Sequence, residues 1–202
     1  MSRKLTLEDI ADLRQYERER DEFRARIIDL KRRRRVALGP VVSLVFENRE
    51  TVRFQVQEMA RAERMLTDEQ IRTELEVYNP LVPEPGQLSA TLFIELTSQA
   101  ELRSWLPKLV GIERAIELRL GDAQSEGGLE VVRCTPEQAH EASLTRDTVT
   151  AAVHYVRFDL DPSQIERFAT GPAVLASVHP EYTHAVALPD DVRQELLSDL
   201  RS

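Results

Sequence analysis

The fold is decided by residues 31–59, KRRRRVALGPVVSLVFENRETVRFQVQEM, where the chain changes from helix to strand and back to helix. Apolar residues flank Gly39-Pro40, and this pattern predicts two strands, residues 36–38 and 41–46, joined by a tight turn. Asn48 is a typical N-cap residue, so a second helix is predicted to begin directly after it. A hairpin followed at once by a helix favours a mixed architecture.

Upstream of this stretch, residues 1–35 are predicted to form an N-terminal helical segment. Thr6 is a suitable N-cap, and acidic residues follow it in the first turn, where they complement the helix dipole. Residues 17–22 contain no apolar side chain. We therefore expect the helix to bend or break there, before its apolar stripe resumes at Phe23.

Downstream, the remaining 36–202 are predicted to form the body of one domain. Thr67 and Gln70 have the spacing of a capping box, which predicts a further short helix. Apolar runs predict strands near 88–96, 115–120, 129–134, 148–160, 173–178 and 183–188, and a last helix is predicted to begin at Pro189-Asp190. This order favours an α+β fold with a largely antiparallel mixed sheet and flanking helices. The polar stretch 122–147 is predicted to be weakly ordered.

Composition limits the classes of function. The 202 residues carry a net charge of −8, yet Lys and Arg outnumber Asp and Glu in residues 1–36, so the acidic excess lies in the body. Cys134 is the only cysteine, which excludes an intramolecular disulfide, an iron–sulfur cluster and a thiolate zinc site built from this chain alone. The sequence shows no membrane-length apolar run and no signal peptide, so we expect a cytoplasmic protein. It also lacks a recognisable nucleotide-binding motif.

The strongest local signal is a basic run, which consists of Lys31, Arg32, Arg33, Arg34 and Arg35. Such a run could bind phosphates, and this makes a nucleic-acid-binding regulator one hypothesis. Against it, no aromatic residue lies within the run to stack on bases, and the total charge is negative. A solvated helix end or a contact with an acidic partner explains the run equally well.

A polar row follows Asn48 on the predicted second helix. Its members are Asn48, Arg49, Arg53, Gln57, Glu58 and Arg61. Four of them recur every fourth residue and therefore share one helix face. This face could bind an anion or a carboxylate-rich partner; a solvent-exposed face with local ion pairs is the simpler interpretation. We take the row as the first candidate for an interaction site.

The predicted hairpin near residue 180 carries His179, Glu181 and His184. Two imidazoles and a carboxylate could bind zinc or iron, or could act as an acid–base pair, with help from His154. The spacing matches no established metal motif, and Pro180 suits a turn that needs no chemistry. Glu137 and His140 form one Glu-x-x-His, which we attribute to chance.

Several separated blocks resemble an uncharacterised bacterial family, a domain of unknown function. Besides residues 31–59, these are YNPLVPEPGQLSATLFIEL, LPKLVGIE, AVHYVRFDL and HPEYTHAVALP, in this order. The resemblance covers almost the whole chain except residues 122–147. It implies genes that lie beside those for rubrerythrin and for an iron–sulfur oxidoreductase of the heterodisulfide-reductase type, and it implies no catalytic residue.

Three functional hypotheses result. The first is a non-enzymatic accessory or binding protein that docks onto a redox enzyme of that neighbourhood. The second is a metal- or anion-dependent enzyme centred on His179 and His184. The third is a nucleic-acid-binding regulator that uses Arg32–Arg35. The sequence specifies no substrate, metal or oligomeric state.

Overall fold

The computed structural model describes residues 3–122, 128–137, 145–146 and 149–201. Its six helices in the described part are α1 Leu13–Arg33, α2 Arg49–Ala62, α3 Asp68–Tyr78, α4 Gln99–Trp105, α5 Pro162–Thr170 and α6 Asp190–Arg201. Short 3-10 turns lie at Leu7–Asp9, Asn79–Leu81 and Ile112–Arg114. No helix among these residues is long and apolar enough to cross a membrane.

The strands are β1 Arg35–Leu38, β2 Val42–Glu47, β3 Gln87–Ile94, β4 Ile116–Leu120, β5 Glu130–Arg133, β6 Thr135–Pro136, β7 Thr145–Arg146, β8 Val149–Thr150, β9 Val153–Asp159, β10 Ala173–His179 and β11 Tyr182–Ala187. A first sheet has the order β1-β2-β3-β9-β6 and a second has the order β11-β10-β4-β5. Strands β7 and β8 pair separately. Every described pairing is antiparallel. The predicted α+β class with antiparallel strands and an N-terminal helix is confirmed.

The two sheets enclose a common apolar core. Leu44 and Leu92 of the first sheet belong to the same buried cluster as Leu118 and Leu175 of the second sheet. The sheets also adjoin at their edges, because only Cys134 separates β5 from β6. On the outside of the first sheet, α2 and α3 bury a second apolar cluster that includes Val56. The first sheet is therefore covered on both faces.

The helix at the N-terminus differs from the expectation in two respects. It begins after Asp12, whose carboxylate accepts hydrogen bonds from two backbone N–H groups of the first turn, and Thr6 caps only the short turn before it. The helix does not break at residues 17–22, since α1 is continuous over 21 residues. Tyr16 and Arg20 contact α2 in this region through polar groups, so the helix packs there without an apolar stripe.

The predicted local signals elsewhere coincide with the observed elements. Asn48 caps α2, and Thr67 with Gln70 forms the capping box of α3. The long strand predicted over 148–160 is divided into β8 and β9 by Ala151-Ala152. Much of the polar stretch 122–147 lies outside the described residues, including His140 of the Glu-x-x-His pair.

Candidate functional site

The polar row of α2 lies against the N-terminal segment of the same chain. Asn48 accepts hydrogen bonds from the N–H groups of Glu50 and Thr51, so its side chain is used as a helix cap. Arg49 donates to the carbonyl of Arg3 at 3.1 Å and pairs with Asp9 at 2.6 Å. The first turn of α2 therefore holds the residues that precede α1.

Gln57 is buried, with only 1% of its surface exposed. Its Oε1 accepts a hydrogen bond from the N–H of Ala11 at 3.0 Å, and its Nε2 donates to the carbonyl of Ala11 at 2.9 Å. This pair of bonds satisfies both polar groups of the backbone at the entry to α1. The sequence placed Gln57 in the polar row, four residues from Arg53 and from Arg61, and this pattern gave no signal of its burial.

Glu58 is the centre of a polar cluster between α1 and α2. Tyr16 donates to its carboxylate at 2.7 Å, and Arg20 donates two bonds at 2.8 and 2.9 Å. The Nε of Arg61 lies 3.6 Å from the same group. The hydrogen bonds from Arg20, together with the bond from Tyr16, lower the pKa of Glu58 to about 2 although burial opposes the shift. Sequence reasoning missed the roles of Tyr16 and Arg20.

Arg53 completes the contact with α1 through an aromatic ring. Its guanidinium carbon lies 4.9 Å from the ring centroid of Phe23, and its Nη1 lies 3.5 Å from Glu50. A cation over an aromatic face is favourable. Phe23 also packs edge-to-face against Phe54 at 5.5 Å. The polar row is thus largely an internal interface. Arg53 and Gln57 line a small cavity beside Phe23, and Arg61, at the C-terminal end of the row, borders a larger open space.

That open space is a groove between the beginning of α1 and the end of α2. We call it the arginine groove; its volume is about 750 Å³, and it is lined by Leu13, Arg14, Glu17, Arg18, Arg61, Arg64 and Leu66. Arg61 pairs with Glu17 at 3.6 Å. Within the described part of the chain, Arg14, Arg18 and Arg64 have no ion-pair partner. Positive charge is therefore concentrated and uncompensated here on a protein of net charge −8.

Apolar surface lies within the same groove. Leu66 is 82% exposed, the most exposed of the large apolar side chains that the structure describes. It follows the end of α2, where Arg64 adopts a left-handed backbone with φ of 53°. Such a conformation is unfavourable for a residue with a Cβ. The turn directs the chain from α2 to α3, and the next residue, Met65, is buried while Leu66 is in solvent.

The basic run does not form one surface patch. Arg32 and Arg33 both pair with Asp29, one turn before them on α1. Arg35 pairs with Glu95 on another segment. Lys31 lies 3.9 Å from Glu47. Each of these charges has a carboxylate neighbour within the chain, so phosphate binding by the run would compete with existing ion pairs.

Arg34 is fully buried, which corrects its assignment to a basic surface patch. It donates to the carbonyl groups of Phe46 and Glu47 at 2.8 and 3.1 Å. It also forms ion pairs with Asp199 and Glu195 of α6. A buried guanidinium needs such partners to offset the loss of its hydration. Arg34 therefore joins α1, β2 and α6 and does not contact solvent.

The histidine hairpin is observed as predicted, between β10 and β11, and both ring nitrogens of His179 are engaged in hydrogen bonds. His179 is buried; its Nε2 lies 3.0 Å from the carbonyl of Val110, and its Nδ1 accepts from the N–H of Glu181 at 3.2 Å. The ring of His184 stacks near Tyr182 with centroids 4.4 Å apart. A metal ion would have to displace a backbone hydrogen bond of His179, so the metal site stays a prediction.

Other candidate groups lie apart from this hairpin. Within the described ranges, no three His, Cys, Asp or Glu side chains are arranged to hold a metal ion. His154 is buried, and its Nε2 lies within 2.9 Å of both Thr150 Oγ1 and the carbonyl of Ala151. Burial raises the pKa of the Cys134 thiol to about 12, which keeps it protonated near neutral pH.

Comparison with known proteins leaves the function open. No curated protein matches the chain. A crystal structure of a novel protein of unknown function from Burkholderia pseudomallei K96243 is similar to it, with a TM-score of 0.86 and 35% sequence identity. That similarity covers 98% of this chain and 99% of the other. A family model described as protein of unknown function (DUF3501) matches residues 4–200. The chain therefore belongs to the DUF3501 family.

Proposed function

We propose that this protein is a non-enzymatic accessory protein that binds a partner protein through the arginine groove. The proposed partner surface is an acidic segment that carries an apolar side chain. The single observation that supports this most is the presence of three arginines without ion-pair partners around the exposed Leu66, within the described residues. Arginine and large apolar side chains together are typical of protein interfaces.

The charge distribution supports an acidic partner. The arginine groove contains four arginines and one glutamate, whereas the whole chain is acidic. Such a local field attracts a carboxylate-rich surface and repels other basic proteins. Leu13 and Leu66 would then be covered by the apolar side chain of the partner. The predicted docking by the polar row is thereby narrowed to Arg61, because it is the member of the row that lines this groove.

We propose a redox enzyme as the partner, namely rubrerythrin or an iron–sulfur oxidoreductase of the heterodisulfide-reductase type. The resemblance of the sequence blocks to the family is the reason for this choice. The composition agrees with an accessory role, since one cysteine cannot build a cluster. Its thiol is protonated and buried, so the proposed redox chemistry belongs entirely to the partner.

The test is a binding titration of the purified full chain against each of these two enzymes. We expect micromolar binding to one of them that weakens as the salt concentration rises, because exposed charges are screened over about 10 Å at 0.1 M salt. An Arg14→Glu, Arg18→Glu double variant reverses two unpaired charges of the groove. We expect it to lose at least about tenfold in affinity, since one factor of ten corresponds to only about 1.4 kcal/mol.

The matched control is Arg24→Glu on the same helix. Arg24 is exposed and lies outside the groove. Its reversal changes the net charge of the protein, but the affinity should change by less than about threefold. A threefold change corresponds to about 0.7 kcal/mol, half the free energy of a tenfold change. Absence of a complex with either enzyme at micromolar concentrations would contradict the proposed partner. Equal losses in the groove and control variants would contradict the proposed surface.

A further inference from the structure

A second concave site lies between the outer face of the first sheet and the helices that cover it. We call it the sheet cavity; its volume is about 220 Å³, and it is lined by Lys31, Glu47, Val52, Gln55, Leu81, Thr91, Phe93, Val153 and Tyr155. This volume equals that of about seven waters at the roughly 30 Å³ that each occupies in the liquid. The cavity shares no lining residue with the arginine groove.

Direct cross-strand pairs form one wall of the sheet cavity. Thr91 of β3 lies opposite Tyr155 of β9, and Phe93 lies opposite Val153. Paired residues in an antiparallel ladder project from the same face of the sheet. Val52 of α2 stands on the facing wall. The walls are thus mostly apolar and aromatic, which is typical of a site for a small organic molecule.

The polar groups are concentrated around Glu47. This carboxylate is only 7% exposed and accepts a hydrogen bond from Thr91 Oγ1 at 2.6 Å. The ammonium of Lys31 lies 3.9 Å from the same carboxylate, and the Lys31 side chain is 30% exposed. That separation exceeds the length of a hydrogen bond. An acceptor and a cationic donor are therefore held side by side without being bonded to each other.

We propose that the sheet cavity binds a small planar molecule whose edge presents an N–H next to a C=O, as an amide or a lactam does. The N–H of such an edge donates to Glu47, and the C=O accepts from Lys31. The ring of the molecule lies among Val52, Phe93 and Val153. A carboxylate ligand would face Glu47, and an ammonium ligand would face Lys31, so the adjacent charges favour a neutral edge that uses both.

Three probes of similar size test this assignment: benzamide, benzoate and benzylamine. Benzamide has both donor and acceptor, benzoate has only acceptors, and benzylamine is a cationic donor. Binding to the full chain is followed by changes of backbone amide chemical shifts during titration. We expect benzamide to bind at millimolar concentration and to shift resonances around residues 47, 91 and 155. Benzoate and benzylamine should bind about tenfold more weakly, because each leaves a charged group of the site unpaired.

Lys31→Met tests the role of the ammonium while it retains a long apolar stem. We expect it to weaken benzamide binding about tenfold, the loss of one charge-assisted hydrogen bond. Lys108→Met is the matched control, since Lys108 lies over the Trp105 ring and away from the cavity. Benzamide affinity in this control should be unchanged. The proposal is overturned if benzamide binds no better than the other two probes, if no probe binds, or if Lys31→Met binds benzamide like the wild type.

Discussion

At the scale of single residues, the phenol of Tyr182 holds the turn between β1 and β2 against the second sheet. Its hydroxyl donates to the carbonyl of Leu38 at 2.7 Å and accepts from the N–H groups of Val41 and Val42, each at 3.1 Å. The side chain is 2% exposed. One hydroxyl therefore satisfies three backbone groups that have little access to water.

Tyr182→Phe should therefore destabilise the fold although it removes only one oxygen atom. The two N–H groups and the carbonyl would be left without this partner, and a buried unsatisfied polar group costs about 1–3 kcal/mol. We expect a loss of that size in the free energy of unfolding, measured by urea denaturation. A loss below about 0.5 kcal/mol, the usual range for surface substitutions, would show that the hydroxyl does not hold the turn.

Gly39 in the same turn allows a close approach of two aromatic rings. Its φ is +76°, and an added Cβ would lie 2.6 Å from His184 Cγ and from Tyr182 Oη. Gly39→Ala should lower the melting temperature more than Gly111→Ala. Gly111 has a similar φ of +91°, but an added Cβ would meet nothing within 4 Å. Equal shifts in the two variants would contradict the steric role of Gly39.

At the scale of elements, Glu58 makes the packing of α1 on α2 dependent on pH. The hydrogen bonds from Arg20 lower its pKa from 4.5 to about 2 in the folded state. A lowered folded-state pKa means that the ionised form favours folding. This contribution is complete above about pH 4.5 and is lost as the pH falls from there toward about 2. Its size is at most about 3.5 kcal/mol, since the pKa falls by about 2.5 units and one unit corresponds to about 1.4 kcal/mol.

Glu58→Gln tests this linkage. Urea denaturation at several pH values should show the variant less stable than the wild type near neutral pH. The difference should shrink as the pH falls from about 4.5 toward about 2, because the Glu58 carboxyl of the unfolded wild type then binds a proton while that of the folded wild type stays ionised. Glu19→Gln, at an exposed position of α1, is the control and should follow the wild type. A difference that stays constant down to about pH 2 would rule out titration of Glu58 as the cause.

The local patterns of the sequence predicted most elements because caps and turns depend on neighbouring residues. Asn48 and the Thr67–Gln70 pair act within three residues of their own positions. A break in α1 was predicted because residues 17–22 contain no apolar side chain. It does not occur, because polar contacts stabilise that part of the helix and apolar periodicity gives no information about them. Tyr16 and Arg20 stabilise that part of the helix against Glu58, 42 and 38 residues away. Gln57 and Glu58 were predicted to bind an anion or a partner, and the contacts observed for them are within the chain.

At the scale of the whole molecule, Arg34 connects the end of α1 to the last helix, α6. Its partner Asp199 lies 165 positions later on α6. Arg34→Met should be strongly destabilising, by about 3–5 kcal/mol, because it removes the buried guanidinium that pairs with the carboxylate of Asp199 in the interior. Chemical denaturation followed by circular dichroism measures the loss. Arg33→Met is the control, with an expected change within about 0.5 kcal/mol, since its side chain is half exposed and pairs only with Asp29.

A double variant separates the charge from the packing. Arg34→Met combined with Asp199→Leu removes both members of the buried pair. It should be more stable than Arg34→Met alone, because the buried carboxylate that paired with Arg34 is removed together with the guanidinium. A double variant that is less stable than the single one would mean that the methylene stem and backbone contacts of Arg34 matter more than its ion pair.

By itself, the sequence determined the α+β class, the two hairpins and the helix caps, because each depends on residues that are close in sequence. Its composition, with one cysteine, excluded an iron–sulfur centre built from this chain alone. The tertiary structure alone decided that the polar row of α2 holds residues 3–23 and that Arg34 is buried. It also decided that the arginines around Leu66 have no ion-pair partner among the residues that the structure describes. It also placed Lys31 beside Glu47 in the sheet cavity. Ion pairs and cavities form between elements that are far apart in the chain. The sequence shows which residues are charged, but only the tertiary structure shows which residue pairs with each of them.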